Sequence, residues 1–297
     1  MRPMEIRPEC HACLTNLVEL TVTQAAAAPT MQQRARRAAL EIIRREFRPE
    51  AIPASIATRF LHAIMAHTGN PDPFAAQKTA ATAYLGRLYR IIAANYDEDL
   101  ASLLKLAALG NAIDYFRDEA EVLRELTSRV EFGLSDLDHF RRQLAGPPGL
   151  LLYLADNAGE QFFDQPLVAH LRRLGWQVLY VVKPGPIQND LTREDLYASG
   201  LGAALEPVTD IGARTVGLEL DQAGPAFLKR FAAAQLILAK GMGHFETLSH
   251  LPDSRLYFLL QAKCQPVAAA LGVVQRAFVF CRPPAMYLDP AECLQII

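Results

Sequence analysis

Acidic and amide side chains follow two of the strands that the sequence predicts. Asp156 and Asn157 come directly after the apolar run 150–155, and Asp190 follows a second apolar run, 177–183. In isolation, each polar pair is most economically a turn or a helix N-cap. Because the carboxyl ends of parallel strands meet at one edge of a sheet, the two carboxylates and the amide oxygen can converge. Oxygen ligands of this kind suit a hard divalent cation such as Mg²⁺ or Mn²⁺.

A lysine and two glycines follow a third predicted strand. The segment from Lys240 to Glu246 contains Gly241 and Gly243, and His244 follows the second glycine. Backbone N–H groups at glycines can approach an anion, and the lysine ammonium supplies a point charge for phosphate. The segment lacks the Gly-Lys-Ser/Thr of a P-loop and the third glycine of a dinucleotide fingerprint. It is a candidate phosphate site, with a tight turn and a surface lysine as the structural alternative.

Two cysteines, Cys10 and Cys13, come just before a predicted helix at the start of the chain. Three interpretations stay open: buried or partner-facing thiols, half of a metal site completed by Cys264 and one other residue, and redox chemistry. A redox CxxC normally follows a strand, and none is predicted here. We expect the pair to lie on the helical part of the protein, away from the strand ends that carry the candidate metal ligands.

The order of the predicted elements divides the chain near residue 148. Residues 1–147 are predicted to be helical and to form an N-terminal domain or cap, which ends at a Pro-Pro-Gly segment. Residues 148–297 alternate between strand and helix, which predicts an α/β fold with a mostly parallel sheet and helices on both faces. The predicted strands are residues 150–155, 177–183, 236–240, 256–260 and 277–281.

Composition and charge narrow the class of protein. The 297 residues are 51% hydrophobic, and 30 Lys and Arg against 32 Asp and Glu give a net charge of -2. Such a chain has no general attraction to nucleic acid or to an anionic membrane, so we expect neither as a partner. The N-terminus has no apolar signal region and five cysteines do not indicate a disulfide framework, so a cytoplasmic location is expected. The oligomeric state stays open.

Several short motifs occur together in one order along nearly the whole chain. Read together, they resemble the damage-control phosphatases, a family long known as domain of unknown function 89. The matching pieces are Cys10-x-x-Cys13, Gly110-Asn111-Ala112-Ile113-Asp114, Asp156-Asn157-Ala158-Gly159-Glu160 with Phe163-Asp164, Asn189-Asp190-x-Thr192, Lys240-Gly241-x-Gly243-x-Phe245-Glu246 and Lys263-Cys264. Each piece alone is weak, but their joint order and spacing are specific. The N-terminal CxxC resembles the branch found mainly in archaea and bacteria.

The resemblance implies a helical N-terminal part packed on an α/β domain, and metal-dependent hydrolysis of phosphate monoesters. By position, Asp156, Asn157 and Asp190 match the family's metal ligands, and Lys240 matches its phosphate-contacting lysine. Asp156 and Lys240 are expected to be catalytic together with Glu160, which would orient substrate or water from the first turn of its helix. The other matched positions are expected to bind substrate: Asn111, Asp114, Gly241, Gly243, His244 and Glu246.

One position departs from the family pattern. His244 stands where the family usually has asparagine. If this position contacts substrate, the change would alter selectivity, add a titrating group near physiological pH or weaken activity.

The leading hypothesis is a phosphatase that acts on small phosphorylated metabolites with a divalent ion, Mn²⁺, Mg²⁺, Co²⁺ or Ni²⁺. The ion would polarise the phosphoryl group, while Lys240 and the glycine N–H groups stabilise its oxygens. The sequence leaves open whether Asp156 or water attacks phosphorus.

Two alternatives belong to other functional classes. A carboxyl methyltransferase could use a similar α/β scaffold, but no glycine-rich turn follows the first predicted strand. A non-catalytic metabolite-binding protein would keep the pocket without turnover, and His244 is the feature that favours it.

Overall fold

The helical half of the protein comes first along the chain. The structure is a computed structural model, which describes residues 3–112 and 130–284. Prolines in the first turn begin three of the helices, where a missing N–H costs no hydrogen bond. The helices are α1 (Pro8–Gln24), α2 (Pro29–Glu46), α3 (Pro53–Thr68), α4 (Ala75–Ile92) and α5 (Leu100–Ala112).

A seven-stranded sheet forms the second half of the described chain. Its order is β1-β7-β6-β5-β2-β3-β4, and all neighbouring strands are parallel except the pair β6 and β7. The elements in chain order are β1 (Phe132–Ser135), α6 (Leu137–Leu144), β2 (Leu150–Leu154), α7 (Gln161–Arg173), β3 (Gln177–Val182), α8 (Arg193–Ala198), α9 (Gly202–Leu205), β4 (Val208–Asp210), α10 (Pro225–Ala233), β5 (Leu236–Lys240), α11 (Gly241–Leu248), β6 (Leu256–Gln261), α12 (Gln265–Leu271) and β7 (Phe278–Cys281).

The predicted fold class is confirmed, and two strands were missed. All five predicted strands are present, with ends that differ by at most one residue from the prediction. The missed strands are β1 and β4, which have 4 and 3 residues and no long apolar run. Strand β1 lies in the stretch predicted to be helical and pairs with β7. Division into two domains near residue 148 stays a prediction. Strand β1 lies before that point and belongs to the sheet.

The hydrophobic core lies on both faces of the sheet. Along β2, Leu151 and Tyr153 point into one cluster of buried side chains, and Leu152 and Leu154 point into the other. Helices α4, α5 and α7 cover the first face, and α10, α11 and α12 cover the second. Helices α1, α2 and α3 pack mainly with one another in a third cluster. This burial on both faces explains why the central strands are mostly apolar.

Helices α5 and α7 approach each other closely where the helical half meets the sheet. A Cβ atom added at Gly110 would lie 2.9 Å from the Cβ atom of Phe163. The Phe163 ring is fully buried and meets Tyr89 edge to face, with 5.5 Å between ring centroids. The glycine therefore lets α5 seat directly on Phe163, and the core continues from the helices into the sheet.

None of the helices in residues 3–112 and 130–284 is both long enough and apolar enough to cross a membrane.

Truncation of Phe163 tests this shared core. Phe163→Ala should lower the free energy of unfolding by about 3–5 kcal/mol, because it leaves a cavity between α5 and α7. Urea denaturation followed by circular dichroism measures the change. Val274→Ala is the control, since Val274 is 78% exposed and its truncation should have little effect. Equal effects of the two substitutions would contradict the proposed packing role of Phe163.

Candidate active site

The structure brings together the three residues predicted to be metal ligands. Asp156 and Asn157 follow β2, and Asp190 follows the neighbouring parallel strand β3. The two loops pair through their backbones: the N–H of Leu191 donates to the carbonyl of Asp156 at 2.8 Å, and Asn157 forms an isolated bridge with Asp190. Backbone hydrogen bonds between loops thus bring the three side chains to one place.

Two amide groups orient the carboxylates of this site. The Nδ2 atom of Asn157 donates to Asp156 Oδ2 and to Glu160 Oε1, both at 2.8 Å. From the end of α5, the Nδ2 atom of Asn111 donates to the same two oxygens, at 2.7 and 3.0 Å. The Oδ1 atom of Asn111 accepts from the N–H of Gln261 at the end of β6. Asn111, predicted to bind substrate, therefore holds two site carboxylates in place.

Three oxygens are left over for a cation. Among the described residues, no hydrogen bond uses Oδ1 of Asp156, Asn157 or Asp190. No cluster of three His, Cys, Asp or Glu side chains in these residues is arranged to hold a metal ion. The candidate set contains only two carboxylates, and its third donor is an amide oxygen. Its chemistry fits a hard divalent cation.

Gly241 is required by the position of Asp156. Its φ is +79°, and a Cβ atom there would lie 2.0 Å from Asp156 Oδ2. The space on the Cβ side of this glycine is therefore occupied by the protein's own carboxylate, and contact of its N–H with phosphate stays a prediction. Gly243 packs on a neighbouring loop, since its Cβ would lie 3.1 Å from the backbone nitrogen of Gly217.

Lys240 lies beneath the site, fully buried between two carboxylates. Its Nζ atom is 2.9 Å from Glu160 Oε2 and 2.6 Å from Asp164 Oδ1. Asp164 also accepts from the hydroxyl groups of Tyr153, at 2.7 Å, and Tyr180, at 2.8 Å. Lys240 lines neither of the two cavities at the site. Its expected contact with phosphate stays a prediction, and its observed partners are Glu160 and Asp164.

The pKa values of the acidic groups are shifted in different directions because their surroundings differ. Burial, and then the charges of Glu160 and Asp190, raise the pKa of Asp156 well above its ordinary value. Burial raises the pKa of Asp190 to about 6 against the opposing charge of Lys183. Burial acts in the same direction on Glu160, but the charges of Lys240 and Lys263, together with hydrogen bonds from Lys240 and Asn157, outweigh it and lower the pKa. A cation between Asp156 and Asp190 would relieve their mutual repulsion.

Two cavities meet at these side chains. The first, of about 430 Å³, is lined by Asp156 and Asp190 and by residues of α1, α3 and α11. The second, of about 500 Å³, lies against α4 and α5. Asn111, Asn157 and Lys263 line both cavities, whereas Asp156 and Asp190 line the first cavity, beside the place where the two spaces join.

Lys263 is a site residue to which the sequence reasoning assigned no role. It is exposed, lines both cavities and has no ion pair with a described residue. Its charge opposes the rise in the pKa of Asp156 and contributes to the lowered pKa of Glu160. Lys263 follows the end of β6. Its position after a strand, the signal that identified Asp156, could therefore have identified Lys263 as well.

His244 is buried and faces neither cavity. It is 2% exposed, and its Nδ1 atom donates to the carbonyl of Lys240 at 2.7 Å. Burial, and then the charge of Lys183, lower the pKa of His244 to about 3. The expectation that it adds a titrating group near physiological pH is therefore wrong, because the imidazole is neutral there.

Glu246 and the cysteines lie in the wall of the first cavity. Glu246 Oε2 accepts from the N–H of Ala54 at 2.9 Å, and burial raises the pKa of Glu246 to about 7. Cys10, Cys13 and Cys264 line the same cavity as Asp156 and are free thiols. The expectation that Cys10 and Cys13 lie away from the metal ligands is wrong, because α1 reaches over the ends of the strands.

Asp114, the remaining predicted site residue, lies outside the described residues.

Comparison with known proteins gives one family over almost the whole chain. The model of the damage-control phosphatase ARMT1-like domain matches residues 6–279. A damage-control phosphatase from Pyrococcus horikoshii is 33% identical over 286 residues, covering 94% of this chain and 98% of that protein. A damage-control phosphatase from Archaeoglobus fulgidus is 29% identical, covering 91% of this chain and 96% of that protein.

Solved structures agree with the sequence relatives. The crystal structure of a protein of the family of unknown function 89 from Pyrococcus horikoshii matches with a TM-score of 0.85 at 33% identity, covering 94% of this chain and 99% of that one. The order of the motifs, the arrangement of the strand ends and these matches agree. The chain belongs to the damage-control phosphatase family with the ARMT1-like domain.

Proposed function

We propose that this protein is a divalent-metal-dependent phosphatase that hydrolyses phosphate monoesters of small metabolites. The observation that carries the proposal is the placement of three uncommitted oxygens, from Asp156, Asn157 and Asp190, in the wall of the first cavity, beside its junction with the second. Lys263 supplies an exposed cation at the same junction. A pairing of hard oxygen ligands with a nearby ammonium suits a phosphate group, whose oxygens can contact both.

Asp156, Asn157 and Asp190 would hold the ion, and Mn²⁺, Mg²⁺, Co²⁺ and Ni²⁺ are the candidates. A bound divalent ion supplies Lewis acidity to the phosphoryl group. Lys263 binds the phosphate oxygens from the exposed side of the junction, where its ammonium has no competing partner among the described residues. This assignment gives Lys263 the phosphate contact that the family resemblance implied for Lys240.

Lys240 acts through Glu160. Its ammonium keeps Glu160 ionised within the protein, and the two amide groups of Asn111 and Asn157 fix the other carboxylate oxygen. An ionised, oriented carboxylate beside the ligand set can accept a proton or align a nucleophile. Lys240 is therefore a positioning residue in this proposal.

The non-phosphoryl part of the substrate occupies the cavities. Asn111 lines both cavities but uses its amide within the protein, and Glu246 lines the first cavity. Glu246 uses only Oε2 in a hydrogen bond within the described chain, which leaves Oε1 to accept from a substrate hydroxyl.

The buried position of His244 removes the observation that favoured a non-catalytic binding protein. Because the ring lies below the cavities, its presence in place of asparagine does not block them.

Phosphate release tests the proposed function. Purified protein should release inorganic phosphate from a panel of phosphate monoesters when Mn²⁺, Mg²⁺, Co²⁺ or Ni²⁺ is added, and should release none with a chelator. Protein that binds the metal but releases no phosphate from any ester would contradict the proposed hydrolysis.

The two carboxylates should act as one unit. Asp156→Asn and Asp190→Asn should each weaken metal binding about 10-fold or more, because each removes a charge from the same ligand set. The double variant should lose little further turnover, since residues that act together lose function non-additively. Titration calorimetry measures the affinity. Wild-type affinity in Asp190→Asn would remove Asp190 from the ligand set.

Replacement of Lys263 should mainly affect turnover, whereas replacement of Lys240 should mainly affect stability. Lys263→Met should lower turnover about 100-fold or more while changing stability by less than about 0.5 kcal/mol, because the side chain is exposed. Lys240→Met should lower stability by about 3–5 kcal/mol, because it leaves Glu160 and Asp164 without their buried counter-ion. Steady-state kinetics and urea denaturation separate the effects. A stable but inactive Lys240→Met with fully active Lys263→Met would reverse the assignment.

Glu246 should make stability depend on pH. Its folded pKa of about 7 exceeds the ordinary value of 4.5, so protonation favours the folded state as the pH falls. Glu246→Gln should therefore be more stable than wild type by about 1–2 kcal/mol at pH 8, and this advantage should disappear near pH 5. Thermal melting across this range measures the difference, with the exposed Glu50→Gln as control. A difference that does not vary with pH would contradict the raised pKa.

A further inference from the structure

Lys183 is a buried lysine that the proposed reaction does not use. It follows β3 directly and is only 2% exposed. Its backbone N–H donates to the carbonyl of Leu191 at 2.9 Å, which fixes the main chain beside the Asp190 loop. A lysine is rarely buried without a partner, so its contacts indicate its role.

The ammonium of Lys183 has two partners, both from loops at the site. It lies 3.4 Å from Asp190 Oδ2 and donates to the carbonyl of Gly217. Gly217 in turn packs against Gly243 at the start of α11. Within residues 3–112 and 130–284, no other cation forms an ion pair with Asp190. Asp190 is 4% exposed, so this ammonium is its counter-ion in the folded protein.

The two carboxylate oxygens of Asp190 therefore have different surroundings. Oδ2 faces Lys183, while Oδ1 has no hydrogen bond within the described chain and belongs to a residue that lines the first cavity. A divalent ion bound at Oδ1 would share one carboxylate with a fixed ammonium. Two cations a few ångströms apart in a partly desolvated site repel each other strongly.

We propose that Lys183 is the internal counter-ion of Asp190, which stabilises the metal-free fold and lowers the affinity of the site for its divalent ion. The inference rests on the metal site of the proposed function. In this arrangement the carboxylate is compensated before the ion arrives. The ion gains less on binding than it would at an uncompensated pair of carboxylates, so it dissociates more readily.

Removal of the charge at position 183 tests the inference. Lys183→Gln keeps a donor for the Gly217 carbonyl and removes the ammonium, and Lys183→Met removes both. Mn²⁺ affinity is measured by titration calorimetry at pH 8, and thermal melting is followed with and without Mn²⁺. We expect Lys183→Gln to melt at a lower temperature than wild type without Mn²⁺ and to bind Mn²⁺ roughly 10- to 100-fold more tightly. Addition of Mn²⁺ should raise its melting temperature more than it raises that of wild type.

Two controls separate charge from packing. Lys183→Arg keeps the charge and should keep an affinity near that of wild type. Arg255→Gln removes a partly buried cation that pairs with Asp253, at 2.7 Å, and forms no ion pair with Asp190 within the described chain. It should lower the melting temperature without tightening Mn²⁺ binding.

Unchanged or weaker Mn²⁺ binding in Lys183→Gln would overturn the inference and make Lys183 a residue that only orients Asp190. If Lys183→Gln and Lys183→Met unfold without Mn²⁺ but fold when it is added, the inference is supported. Wild-type protein that binds no Mn²⁺ would overturn the inference together with the metal site. Wild-type protein that binds Mn²⁺ without releasing phosphate would overturn only the proposed hydrolysis.

Discussion

Compensation of negative charge at the carboxyl edge of one sheet is the constraint on which the site depends. Four carboxylates lie together there, and an isolated charge in such surroundings is costly unless it is paired or hydrogen-bonded. Lys240 compensates two of them, Lys183 compensates one, and two amide groups orient a fourth. These carboxylates are Asp156, Glu160, Asp164 and Asp190. The cavity-facing oxygens are those that this compensation leaves unused.

Much of this arrangement follows from local patterns in the sequence, and the rest does not. The apolar runs predict five strands, and the polar residues after them predict that Asp156, Asn157 and Asp190 converge. The partners of Lys240 were not predictable, because Asp164 lies 76 positions away and meets it only through the order of strands and helices. Lys183 and Lys263 each follow a strand, but the sequence around them does not distinguish their roles. A lysine after a strand reads the same whether it is buried on a carboxylate or exposed at a cavity.

Short strands escaped prediction for a related physical reason. Strand β1 has 4 residues that alternate between partly buried and exposed, so its sequence lacks the apolar run of the central strands. Its place is set by pairing with β7, which lies far along the chain.

The helical half also contributes residues to the site. Helix α1 supplies Cys10 and Cys13, and the start of α3 supplies Ala54, to the wall of the first cavity.

The contact between α5 and α7 restricts which substitutions this protein can accept during evolution. Gly110 admits Phe163, and the next residue, Asn111, donates to Asp156 and Glu160. Packing and chemistry are therefore set at consecutive positions of one helix. A substitution that widens the space between the helices also shifts the amide, so stability and activity cannot be improved independently here. Variation in α5 is expected to be tolerated on its solvent side and to require paired changes in α7 at this contact.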